Sequence, residues 1–324
     1  MNQLDSSWWP GVQKLIMRFI WRNLPVFFIW LVGLSMLNNS LHHISPPVES
    51  VRLLSFFSLA AALVLLWYAC RKDYGDDRML KPFVAWAVIL AGLYLTPFMH
   101  GLSLPLDEST QRLWYELSAL AQFAILLVHG RTWLARWDWV WVFGVTLAFG
   151  AILENGGIVL RFFSEPGYLL YFPGLPAPVA TTLGWVNVLY CAFFAVEKLL
   201  PPMPAVAKGL ICALIGLSLD IPFDPVATRL GWWVWDPSLS AKIWDVPMVN
   251  FIAWFWALFP YGTAYYWVRQ WKNYGDGRKV LLLVGSFPVI LMVEFLGVVA
   301  SLSLAGDRES LFIFERFFSS LGLM

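Results

Sequence analysis

The sequence predicts an all-α, polytopic transmembrane helical bundle of about eight to nine spans. Three observations carry that prediction. Of 324 residues, 59% are hydrophobic and only 13% are charged, about half the roughly 25% charge of a soluble domain. Mean hydropathy is +0.65. Apolar runs of roughly 20 residues recur along the chain, each long enough to cross the hydrocarbon layer as a helix. A net charge of +1 gives no basic patch for nucleic acid. Cys70, Cys191 and Cys212 lie singly inside apolar runs, without metal or disulfide spacing, and read as buried thiols.

Taken in order, residues 1–20 read as an interfacial N-terminal segment, with Trp8, Trp9, Lys14 and Arg18 at the membrane surface. Residues 21–304 form one transmembrane domain. Its spans are expected at 21–37, 53–70, 83–104, 113–130, 139–163, 179–200, 205–221, 247–268 and 280–304. The first apolar run carries Pro25 and is followed by SMLNNS rather than a small-residue cleavage site, so it is expected to stay as a span. Residues 305–324, with Phe312, Phe317 and Phe318, read as a short amphipathic tail. With these spans, 15 of the 22 Lys and Arg residues fall on the N-terminal side, which makes that side cytoplasmic and the protein a multi-pass cell (inner) membrane protein. The loops 71–78 and 271–278 echo each other and read as tight glycine turns with cationic anchors.

The chemistry concentrates between residues 219 and 254. In a charge-poor chain this stretch holds Asp220, Asp224, Asp236 and Asp245, interleaved with Trp232, Trp233, Trp235, Trp244 and Trp254, with Asn250 just past Pro247. The expected spans bring Asp220, Asp224, Asp245 and Asn250 to one membrane level. Glu154 and Glu294 arrive there from two other spans, and His100 from a third. An ionisable group inside a bilayer costs several kcal/mol, so each needs a partner or a purpose. Glu154 has Arg161 within reach on one helix face, and Glu294 reads as a structural hydrogen-bonder. Asp236, before Pro237, reads as a turn residue. Pro222 and Pro225 are expected to break the helix beside Asp220 and Asp224 and to leave free backbone groups lining a pocket. The tryptophans serve either as interface anchors or as π faces for a cation.

At these residues the chain resembles the carotenoid biosynthesis membrane proteins that include bisanhydrobacterioruberin-type hydratases of acyclic carotenoids. The matching pattern is Asp220, Asp224-Pro225-Val226-Ala227, Gly231, Trp233-Val234-Trp235, Val246-Pro247, Asn250-Phe251 and Trp254. A looser upstream match runs through Glu154, Gly156, Gly157, Gly167, Tyr168 and Tyr171. Asp245 and Ala253 stand where that family usually has glycine. The resemblance implies hydration of a terminal C=C of a linear carotenoid, a hydrophobic polyene, without cofactor or metal. Protonating such an alkene needs a neutral acid, and an apolar pocket keeps a carboxyl group neutral. Asp220 or Asp224 is the expected acid and the other its charge partner. Glu154 and Asn250 are expected to hold water, and Trp232, Trp233, Trp235, Trp254, Asp245 and Tyr168 to line the substrate. Three other readings use some of the same residues: an acid-initiated carotenoid or terpene cyclase, an intramembrane prenyltransferase built on Asp-x-x-x-Asp, and a lipid transporter.

Overall fold

The computed structural model describes residues 17–42, 48–74, 108–134, 136–239 and 241–320. Most of residues 1–20, the expected span 83–104, His43, His100 and the end of the 71–78 loop lie outside the described residues. The long helices are α1 (Leu24–His42), α2 (Glu49–Tyr74), α3 (Glu108–Trp133), α4 (Thr146–Val159), α5 (Val179–Leu199), α6 (Ala205–Arg229) and α7 (Met248–Arg269). They are followed by α8 (Asp276–Gly285), α9 (Phe287–Ala305) and α10 (Arg308–Ser320). A π-helical segment, Val140–Val145, leads into α4.

Among the described residues, 7 helical stretches are long and apolar enough to cross a membrane. The helix α7, 22 residues long, is not one of them, because its Trp and Tyr residues lower its hydropathy. It is nonetheless packed into the bundle, with its most extensive contacts to α6 and α9. The α6–α7 contact depends on small residues. A Cβ on Gly262 would stand 3.2 Å from the Cα of Gly209, so the two backbones can approach closely. The last span is broken at Ser286 into α8 and α9, with proline in the first turn of α9, where the missing N–H is not needed.

The main correction concerns Pro222 and Pro225. They do not end the helix: α6 runs through both to Arg229. Proline at 222 leaves the carbonyl of Ser218 without its intrahelical donor. Ser58 Oγ, on α2, donates to that carbonyl at 3.2 Å. A neighbouring helix thus satisfies the freed group, as happens in membrane helices.

The helix α5 is the axis of the bundle, packed by α1, α3, α4 and α6. Aromatic rings build the core around it, with Phe193 of α5 stacked on Tyr265 of α7 at 4.1 Å and Phe149 of α4 stacked on Tyr261 of α7 at 4.2 Å. The two ends of the bundle differ. At one end Arg269 bridges Glu197 and Asp138, and Lys198 pairs with Asp73 at 3.1 Å. At the other end, short strands tie the connectors. β1 (Phe163–Ser164) pairs antiparallel with β2 (Val234–Trp235), and β3 (Lys242–Ile243) with β4 (Val246–Pro247).

Candidate functional site

A cavity of about 820 Å³ opens at the strand end of the bundle. That is in the upper part of the roughly 300–1,000 Å³ range of ligand pockets. It runs from α1 and α3 across α6 to α9 and α10. Its walls are largely aromatic and aliphatic. Among the described residues that line it there is no Lys, Arg or His. The acids that reach it are Glu154, Asp220, Asp224 and Glu294, from three different helices.

Asp220 and Asp224 are one helical turn apart on α6, so their carboxyl groups share a face. They are 2% and 3% exposed. Asn250, in the first turn of α7, joins them. Its Nδ2 donates to Asp220 Oδ2 at 3.0 Å and also to Asp224 Oδ2. The amide therefore orients the acid pair, and only its Oδ1 remains to hold water. Asp220 Oδ1 is buried without a donor among the described residues.

Glu154 does not pair with Arg161. The helix α4 ends at Val159, and Arg161 lies beyond it, exposed, with φ 63°. Glu154 Oε2 instead accepts the indole N–H of Trp185. Trp185 stacks on Trp254 at 4.1 Å and 15°, which fixes the donor. At Gly157 a Cβ would come within 2.4 Å of the Phe163 ring, so that glycine admits the aromatic wall. Glu294 lines the cavity, and its Oε2 has no donor among the described residues. This sets aside its reading as a structural hydrogen-bonder.

Trp232, Trp233, Trp235 and Trp254 all line the cavity. Trp232 stacks on Tyr115 at 4.6 Å, and Trp233 lies 5.7 Å from Phe223. Trp235 donates to Thr228 Oγ1 at 2.9 Å and packs on Phe163. The indole N–H groups of Trp232 and Trp233 are buried and have no acceptor among the described residues.

Two expected site residues are placed elsewhere. Asp245 does not line the cavity. Its side chain is 57% exposed and paired with Arg229. It sits with Trp244 in a two-residue hairpin turn, with φ 54° at Trp244 and 71° at Asp245, the left-handed region such turns require. The ion pair holds a turn that glycine would adopt without strain. Tyr168 is buried behind the cavity wall, against Tyr115 at 6.1 Å, and its hydroxyl has no partner among the described residues. Burial pushes that hydroxyl up from the usual phenol value. Asp236 is the turn residue its sequence implies. It accepts from the N–H and hydroxyl of Ser238, which lowers its carboxyl below the usual range.

Several contacts around the cavity have no counterpart in the sequence pattern. Glu116 on α3 is 2% exposed and accepts the backbone N–H groups of Leu169 at 3.1 Å and Leu170 at 3.0 Å. It pins the connector 160–178 over the cavity. Arg112, also on α3, donates to Gly231 O in the segment after α6 at 3.2 Å. Glu165, in that connector, is 5% exposed. Burial holds its carboxyl well above the ordinary carboxylate value, and the nearby charge of Glu154 pushes the same way. An acid directly before Pro166-Gly167, between two apolar runs, was the available signal.

No family model, curated protein or solved structure matches this chain.

Proposed function

We propose that this protein is an integral-membrane hydratase-like enzyme that adds water across a terminal C=C of an acyclic carotenoid or related linear isoprenoid. One observation carries the reading. Two acids, Asp220 and Asp224, are sealed from solvent and lack a cationic partner in an aromatic-walled cavity. A catalytic acid for alkene protonation needs that setting.

In this mechanism the substrate is a hydrophobic polyene drawn from the lipid bilayer. One aspartic acid of the pair gives its proton to the terminal alkene carbon. The π bond breaks and a tertiary cation forms beside it. The remaining carboxylate offsets the positive charge, and the Trp233 and Trp235 rings face it. Water held by Glu154 and Asn250 Oδ1 adds to the cation and yields a tertiary alcohol. No step requires a redox cofactor or metal. In the same proposal the chain crosses the cell (inner) membrane nine times with its N-terminus cytoplasmic, which puts the cavity near the outer leaflet.

The absence of cationic side chains from the described lining disfavours a diphosphate substrate, which needs such groups or a metal. A cyclase would use the same acid but exclude water. Mass spectrometry of pigments separates the outcomes. A gain of one water per reacted end supports hydration, and an unchanged mass indicates cyclisation. Normal turnover by both Asp220→Asn and Asp224→Asn, in folded protein, would end the assignment.

A further inference from the structure

Among the described residues three buried carboxyl oxygens, Asp220 Oδ1, Glu165 Oε1 and Glu294 Oε2, have no hydrogen-bond donor, and the first two share a further feature. An orphaned buried acceptor is costly, so it calls for a donor that heavy-atom geometry does not show. Asp220 and Glu165 each stand beside a second carboxyl group, whereas burial alone bears on Glu294. Asp220 and Asp224 lie within hydrogen-bonding reach of each other. So do Glu154 and Glu165. Two carboxylates have no donor to offer each other, whereas one proton between them supplies it.

The Glu154–Glu165 pair is built from three elements. Glu154 comes from α4 and is held by the indole N–H of Trp185. Glu165 comes from the connector after β1, and its Oε2 accepts the Thr181 hydroxyl at 3.1 Å. Thr181 opens α5. The other charges that bear on Glu165 belong to acids, Glu154 on α4 and Asp224 on α6. Tyr115 on α3 and Tyr168 and Tyr171 in its own connector also face it. Glu154 lines the cavity while Glu165 stands behind it.

We infer that Glu154 and Glu165 form a second proton-sharing carboxyl pair at the cavity, besides Asp220 and Asp224, and that it is the base that receives the proton of the attacking water. The role as base rests on the hydration reading above, whereas the proton-sharing pair does not. The proton balance closes. The aspartate pair gives one proton to carbon, and the C–O bond forms as a water O–H bond breaks. Glu154 takes that proton, and Glu165 is the positioning residue that shares it. The proton then returns through cavity water to the aspartate pair, so one water is consumed and no net proton. Glu154 lies within electrostatic reach of Asp220 and Asp224, close enough to couple the two pairs.

Infrared difference spectroscopy on the full chain in lipid nanodiscs tests the pair without any substrate. Glu154→Gln and Glu165→Gln are each expected to remove the same protonated-carboxyl band at neutral pH. Asp220→Asn and Asp224→Asn are expected to remove a different one. A protonated-carboxyl signal unchanged by both glutamate variants overturns the pair, and a signal lost in Glu154→Gln alone overturns the sharing. If one glutamine variant does not fold, hydrogen–deuterium band shifts in the wild type and the other variant decide. The role as base is read separately. In Glu165→Gln, turnover is expected to fall about tenfold or more. The acid limb of the pH–rate profile should move to higher pH, because the shared proton no longer stabilises the anionic form of the pair. An unmoved profile overturns the role. If the wild type hydrates nothing, the function fails while the infrared result still stands for the pair.

Discussion

The two ends of the helical bundle treat buried charge in opposite ways. At one end Asp73, Asp138 and Glu197 each stand beside a cation, Lys198 or Arg269. Arg269 also packs over the Tyr265 ring at 5.1 Å. At the other end Glu154, Asp220, Asp224 and Glu294 face a cavity whose described lining carries no cation. The first end uses charge to fix helices against one another. The second keeps acids in apolar surroundings, where an amide holds Asp220 and Asp224, an indole N–H holds Glu154, and Glu294 Oε2 has no donor among the described residues. An acid that is paired by charge has its stabilisation built in. An acid that is not is available to a ligand or a proton.

That contrast can be broken by substitution. The largest effect is expected at the cavity end. Asp224→Asn keeps shape and the contact with Asn250 but cannot give a proton, so turnover should drop about 10²–10⁴-fold with little change in thermal stability. Product analysis and a melting curve on the same preparation check both halves. The reverse pattern is expected for Arg269→Met. It leaves Glu197 and Asp138 without their shared partner and should cost about 1.5–3 kcal/mol of stability, read by unfolding in detergent. Turnover per folded molecule should stay normal, and a loss of turnover without a loss of stability would dissolve the contrast.

Smaller effects sharpen it. Trp185→Phe retains an aromatic ring against Trp254 but removes the donor to Glu154. A loss of one such hydrogen bond, about 0.5–1.5 kcal/mol, predicts a several-fold fall in turnover, and unchanged kinetics would make the indole N–H irrelevant. Glu165 makes the connector pH-sensitive. Its carboxyl is raised in the folded state by burial first and by Glu154 second. Its contribution is therefore complete below the ordinary carboxylate range and is lost as pH rises towards the raised value. Hydrogen exchange or proteolysis within 160–178 should accelerate over that window, and Glu165→Gln should flatten the dependence. The smallest effect is expected for Asp245→Gly. Relief of the left-handed turn and loss of an exposed ion pair should nearly cancel, within about 0.5 kcal/mol. A large loss of turnover there would return Asp245 to the site.

Much of the site was readable because its residues were out of place in an apolar chain. Asp220, Asp224, Asn250, Trp232, Trp233, Trp235 and Trp254 drew notice by composition and spacing, and they line one cavity, whereas Trp244 lies in the hairpin turn. Glu154 was found the same way, but its partner was not. Arg161 was close in sequence, whereas Trp185 sits on another helix. Asp245 misled because sequence proximity placed it with the other acids. One turn residue and Arg229 carried it to the surface. Glu116 and Glu165 escaped notice because their roles depend on connector 160–178 folding back onto α3 and α5, and Arg112 because its acceptor, Gly231, comes from the segment after α6.

By itself the sequence determined the helical, membrane-compatible character of this protein and the region where its buried acids and tryptophans gather. Apolar run length and the cost of an intramembrane charge are properties of single segments, so no partner is needed to read them. The tertiary structure alone decided how α6 passes through Pro222 and Pro225, which acids face the cavity and which donors hold them. Those outcomes depend on atoms brought from distant positions, such as Ser58 beside Ser218 and Trp185 beside Glu154. A hydrogen bond between helices has no signature along one chain.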